Sequence, residues 1–208
     1  MDIDLIFIFE MIGTVAFAVA GSLVGILKKM DIFGVAVLGM TTAVGGGIIR
    51  DLVLGRTPPV AYVRPVYALT AIVTSLIVFL PAVRSFVEHH QKGYDGIMRL
   101  MDAIGLGAFT VIGAEAAYTC VPDPNMFLAI FTGCVTGVGG GALRDVLAGE
   151  VPYIFVKHFY ACASIIGAIV YCILRGFMAV ELAMILGVAV VVVLRLLAAK
   201  YRWTLPRP

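Results

Sequence analysis

The residues most able to do chemistry stand in two matching places. Arg50-Asp51 follows Gly45, Gly46 and Gly47, and Arg144-Asp145 follows Gly139, Gly140 and Gly141 at the same spacing. Both pairs lie deep in apolar stretches, where exposing a charge to lipid costs several kcal/mol. They must therefore be paired or hydrated. Residues adjacent on a helix point in different directions, so the expected partners of each arginine are main-chain carbonyls or charges on neighbouring spans rather than the next residue. Two roles are open for these charges: locking the helix that carries them, or touching a permeating species.

The glycines that precede them set the second expectation. Each costs a helix roughly 1 kcal/mol relative to alanine, and non-helical backbone at membrane depth is tolerated only against protein or a wet cavity. A break at each triplet would free carbonyls suited to cations and amides suited to anions. Close helix packing is the competing use of the same residues; duplication, with Arg-Asp after each triplet, favours the break. The stretch Gly137-Val138-Gly139-Gly140 is not followed by the Gly-Lys-Ser or Gly-Lys-Thr of a phosphate loop.

Other ionisable and hydroxyl groups extend the candidate pathway. Glu10 and Asp102 occupy matching positions near the ends of the first and fourth spans, where interfacial capping is the expected role. Glu115 has Leu23 as its counterpart and lies further along the fourth span, where a carboxylate is a candidate for attracting cations or taking up a proton. Ser22, Thr42 and Thr136 offer hydroxyls to a wet path, although such residues commonly bond their own helix. No serine or cysteine nucleophile has a base in a matching span. His89, His90 and His158 lie in or near connections without a metal-like partner, so no enzyme chemistry, cofactor or metal is expected.

The elements that must position these groups follow from composition. The 208 residues are 62% apolar and 13% charged, with mean hydropathy +1.06, against about 45–50% and 25% in soluble domains. An all-α integral membrane protein is expected, as a single domain over 1–208. A net charge of +2 gives no argument for nucleic acid. Cys120, Cys134, Cys162 and Cys172 have no Cys-x-x-Cys spacing and read as free thiols. Asp2, Asp4 and Glu10 disqualify the first apolar run as a signal peptide. Seven spans are predicted at about 5–27, 32–54, 60–80, 97–118, 126–147, 155–174 and 177–197, the second and fifth broken at their glycine triplets.

The repeat reaches beyond the glycines. Glu10-Met11-Ile12-Gly13 with Ala16, Phe17, Val19 and Gly21 matches Asp102-Ala103-Ile104-Gly105 with Ala108, Phe109, Val111 and Gly113. One repeat over about 5–83 and another over about 97–174 contain three spans each, with the seventh outside. Three is odd, so the second copy is inverted relative to the first. Sorting Lys and Arg by side gives eleven (Lys28, Lys29, Arg84, Lys92, Arg99, Arg144, Lys157, Arg195, Lys200, Arg202, Arg207) against four (Arg50, Arg56, Arg64, Arg175). The richer side is the cytoplasmic one, which puts the amino terminus outside and the carboxyl terminus in the cytoplasm.

Seven spans, an inverted three-plus-three repeat and Gly-Gly-Gly-x-x-Arg-Asp in the second and fifth spans resemble the prokaryotic trimeric intracellular cation (TRIC) channels. The resemblance implies a homotrimer in the bacterial cytoplasmic (inner) membrane, in contact with lipid. Each subunit would carry its own pore, bent at the two triplets and passing potassium and other monovalent cations. The Lys-Glu-Val motif of the animal members is missing, so their lipid regulation is not implied. The same bacterial domain is similar to glycine transporters, which makes a carrier for glycine or another small neutral amino acid the alternative.

Overall fold

A computed structural model describes residues 5–83, 85, 91–156 and 159–203, with backbone only at 91 and 92. The described residues are helical apart from turns. In chain order the helices are α1 (Leu5–Leu27), α2 (Ile32–Val53), α3 (Val60–Val63), α4 (Val66–Val78), α5 (Gln91–Cys120), α6 (Met126–Leu147), α7 (Tyr153–Val156), α8 (Tyr160–Arg175) and α9 (Val180–Tyr201). His89, His90, His158, Lys157, Arg84 and Arg207 lie outside the described residues.

Local chemistry sets the boundaries, and it does so twice. Asp31 and Asn125 cap α2 and α6 by accepting from the amides of Gly34 at 2.7 Å and Leu128 at 2.8 Å. Both helices end on a glycine in the left-handed region, Gly55 and Gly149, each at φ 70°. The next amide then closes back onto the helix, Arg56 onto the Asp51 carbonyl at 2.7 Å and Glu150 onto the Asp145 carbonyl at 2.8 Å.

Two expectations are corrected. α2 and α6 run as uninterrupted helix through Gly45–Gly47 and Gly139–Gly141, so the triplets do not break them. The physical reason is that both helices keep their internal hydrogen bonds while the missing side chains let them approach closely. The third and sixth spans are shorter than predicted. Pro65, which lacks an amide proton, separates α3 from α4, and Phe159 at φ 49° precedes α8. Among the described residues five helices are long and apolar enough to cross a membrane: α1, α2, the Gly93–Cys120 part of α5, α6 and α9. The 13-residue α4 and 16-residue α8 are apolar but shorter; 13 residues reach about 20 Å against a hydrocarbon core of about 30 Å.

Packing places α1, α2, α5 and α6 at the centre. α1 packs on α2, α4 and α5, α6 packs on α2, α5 and α8, and α9 lies against α5 and α8. Phe17 of α1 and Phe109 of α5 meet in the core with ring centroids 5.3 Å apart. The outer faces carry exposed Phe33, Phe127, Phe155 and Phe177 and the outward row Leu69, Val73 and Leu76 of α4, apolar surface suited to lipid. The molecule is thus an all-helical membrane protein.

Candidate functional site

α2 and α6 cross where Gly46 meets Gly140. A Cβ on Gly46 would overlap the carbonyl oxygen of Thr136, and one on Gly140 would overlap the carbonyl oxygen of Thr42. The neighbouring glycines do different work. A Cβ on Gly45 would press on Leu143 at 2.5 Å, and one on Gly139 would lie 3.4 Å from Ile49. At Gly47 the nearest atom would be an Arg50 nitrogen at 3.9 Å, so the third position leaves room for the guanidinium. The hydroxyls of Thr42 and Thr136 turn back onto their own helices, each 2.6 Å from the carbonyl four residues earlier.

A charged group lies beyond this crossing on each helix. Asp51 accepts from its neighbour Arg50 Nε at 2.9 Å through one oxygen and from the Val60 amide at 2.8 Å through the other. Asp145 accepts from Arg144 Nε at 2.9 Å and from the Tyr153 amide at 2.8 Å. The carboxylate therefore ties the arginine to the start of α3 or α7. The expectation that each arginine finds its partners elsewhere than at the next residue is corrected: the rule describes where Cβ atoms point, and the long arginine stem folds back past it. All four residues are buried.

Matching carboxylates and tyrosines complete the two groups. Tyr67 of α4 donates to Glu10, and Tyr160 of α8 donates to Asp102 at 3.2 Å. Arg144 also donates to Asp102, from Nη1 at 3.0 Å, so a charge on a neighbouring span is one of its partners. Neither Glu10 nor Asp102 caps a helix end: each lies inside its helix, and Asp102 is 1% exposed. A further cation comes from α9, where Arg195 Nε lies 3.8 Å from Asp102 and the guanidinium covers the Tyr160 ring at 4.9 Å.

Each group borders a cavity. The first, about 40 Å³, is lined by Glu10, Thr14, Gly47, Arg50, Asp51 and Tyr67 among others. That volume suits a small ion or a few water molecules, since a water needs roughly 10–15 Å³ by this measure. The second, about 270 Å³, is lined by Asp95, Arg99, Asp102, Tyr153, Arg195 and Arg202 among others. Among the described residues no three His, Cys, Asp or Glu side chains are grouped to hold a metal ion.

The relatives match this arrangement end to end. The family model for glycine transporters matches twice, over residues 7–82 and 99–176. UPF0126 inner membrane protein YadS of Escherichia coli is 37% identical over 204 residues, covering 97% of this chain and 95% of the relative. A structure of the TRIC trimeric intracellular cation channel orthologue from Rhodobacter sphaeroides is 36% identical, with TM-score 0.85, and covers 94% of this chain and 97% of that one. The chain belongs to the TRIC family. A further TRIC cation channel structure is 41% identical with TM-score 0.84, covering 97% of this chain and 96% of that one.

Within this TRIC chain the expected site residues do not all converge. The six glycines, Thr42 and Thr136 lie at or next to the crossing, and Arg50, Asp51, Glu10 and Asp102 line the two cavities, whereas Arg144 and Asp145 line neither and join the second group through Asp102 and Tyr153. Glu115 borders neither. It accepts from Tyr171 and, at 2.9 Å, from Arg175, joining α5 to α8, and Arg175 covers the Tyr118 ring at 4.3 Å. Ser22 is fully buried where α1 meets α2, its oxygen 2.7 Å from where a Gly39 Cβ would stand. Sequence reasoning missed Thr14, Tyr67, Tyr160 and Arg195. Tyr67 and Tyr160 stand 93 residues apart, each followed by alanine, so carrying the repeat into the third and sixth spans would have found them. Arg195 has no counterpart because α9 lies outside the repeat.

Proposed function

We propose that this TRIC chain is a cation channel, passing potassium and other monovalent cations through a pathway inside each subunit of a homotrimer. The observation that carries the reading is the pair of equivalent charged groups, each beside a cavity, facing each other across one glycine crossing. Each group has two carboxylates for one repeat-borne arginine, Glu10 and Asp51 with Arg50, and Asp102 and Asp145 with Arg144. Within a low-dielectric interior carboxylates so placed attract cations, and Arg195 offsets part of that attraction at the second group. The related structures are named as TRIC cation channels, and the Rhodobacter sphaeroides protein as trimeric.

An inverted repeat of three membrane-crossing segments per copy, with a seventh outside it, supports the pathway. Lys28, after α1, meets Glu150, after α6, while Arg56, after α2, lies 3.9 Å from Cys120 at the end of α5. These contacts fit helices that alternate in direction, so that α1 and α5 run oppositely and the two cavities serve opposite faces. The excess of Lys and Arg puts the Asp102 face in the cytoplasm of a bacterium and the Glu10 face outside.

The crossing at Gly46 and Gly140, with Phe17 beside it 3.3 Å from a Gly140 Cβ, is the constriction of a closed state. Conduction requires these two backbones to separate. Planar-bilayer recording of the purified protein in potassium chloride tests the proposal, with glycine uptake into liposomes in parallel. Unitary potassium currents without glycine flux are expected. Saturable glycine uptake without unitary currents would overturn the channel in favour of the carrier that the family description names.

A further inference from the structure

We propose that Phe17, Leu106 and Phe109 form a dry plug between the two cavities, and that the Phe17 ring is the side chain that must move for a cation to pass. The inference rests on the channel reading above and names the groups that hold its closed state. It also gives a use to the part of the repeat, Gly13 with Phe17 and Gly105 with Phe109, that the charged groups leave unexplained.

Glu10, Thr14 and Phe17 lie along one face of α1, and Asp102, Leu106 and Phe109 lie along the matching face of α5, each trio at helical spacing. Glu10, Thr14 and Phe109 line the first cavity and Asp102 lines the second. Phe17 touches both approaches. Its ring meets Phe109 with centroids 5.3 Å apart, and it fills the place of a side chain on Gly105, one turn along α5 from Asp102. The same ring lies 3.3 Å from where a Gly140 Cβ would stand, so it reaches the α2–α6 crossing. Phe109 is seated more loosely, its ring 3.1 Å from a Gly13 Cβ. Phe17 and Leu106 are fully buried, whereas Phe109 is 8% exposed. Along α5 the face between Phe109 and Asp102 is apolar, because Leu106 stands where the first repeat has Thr14. The helical rise between those two residues makes this section about 10 Å long. A narrow apolar section expels water and stops ions without any charged barrier. Parting α2 from α6 withdraws Gly140 from the Phe17 ring and gives it room to turn, so the backbone crossing and the plug release together.

Planar-bilayer recording in symmetric potassium chloride tests the plug through the time-averaged current for a fixed amount of reconstituted protein. Phe17→Ala should raise that current at least about tenfold, because the packing that truncation removes belongs to the closed state alone. Leu106→Thr, which gives the second repeat the residue of the first, should also raise it, and keeps the test available if Phe17→Ala does not fold. Val111→Ala removes apolar volume from the same helix on the side that meets Gly187 of α9 and should leave the current unchanged. An equal rise with Val111→Ala would mean general loosening and would overturn the plug. Currents from Phe17→Ala and Leu106→Thr that match or fall below those of the unmodified protein would also overturn it, and would leave the channel standing. An unmodified protein that stays silent while Phe17→Ala conducts would support both readings. Silence from every folded variant would overturn the channel reading itself.

Discussion

Asp102 accepts from Arg144 and Tyr160 while Arg195 closes on its second oxygen, and all four groups are buried. Glu10, its counterpart, is only half-buried and takes the Tyr67 hydroxyl. Removing one partner from a buried ionic group costs about 3–5 kcal/mol because the others stay desolvated and uncompensated. Asp102→Asn should therefore lower stability by about that amount, and Glu10→Gln by about 1 kcal/mol, the value of an ordinary hydrogen bond. Thermal unfolding in detergent, followed by circular dichroism, compares the two; equal losses would mean that the Asp102 group is not the tighter network. Glu115 calls for the same comparison. Its bonds to Tyr171 and Arg175 make it a tie between α5 and α8, so Glu115→Gln should destabilise the protein while leaving open-channel current unchanged. The sequence marked Glu115 by its depth and read Glu10 and Asp102 as caps near span ends, because depth along a span cannot tell a carboxylate beside a cavity from one enclosed by tyrosine and arginine.

A glycine inside an exposed helix normally gains about 1 kcal/mol when replaced by alanine. At the α2–α6 crossing the sign should reverse, because the added methyl would overlap a main-chain oxygen that cannot rotate away. Gly46→Ala and Gly140→Ala are each expected to lower the unfolding temperature, whereas Gly47→Ala, with its nearest atom at 3.9 Å, should leave it nearly unchanged. The double variant should cost less than the sum of the singles, since one separation of the helices relieves both overlaps. Strict additivity would place the two glycines in separate contacts. These helices also mark what the sequence could convey. The bounds of α1 and α6 match the predicted 5–27 and 126–147, because charge, capping side chains and glycine punctuation act locally. The continuity of α2 and α6 through their triplets was not legible: it depends on a second helix supplying the contact. The shortening of the third span was signalled by Pro65, and that of the sixth, which turns on the backbone at Phe159, was not.

For the molecule in its bilayer, the proposed orientation gives an accessibility test. In a background with Cys120 replaced by serine, Asp123→Cys should react with a membrane-impermeant maleimide on intact cells. Lys29→Cys should react only after permeabilisation. The reverse pattern would invert the assignment of faces. Across the molecular centre equivalent residues face each other, Gly46 against Gly140 and Phe17 against Phe109. A surface that meets its own copy in this way is the mark of an isologous dimer, here carried within one polypeptide. Gene fission between residues 83 and 91 should accordingly yield two fragments that find each other when co-expressed, the contact between them having the form of one made by two separate subunits.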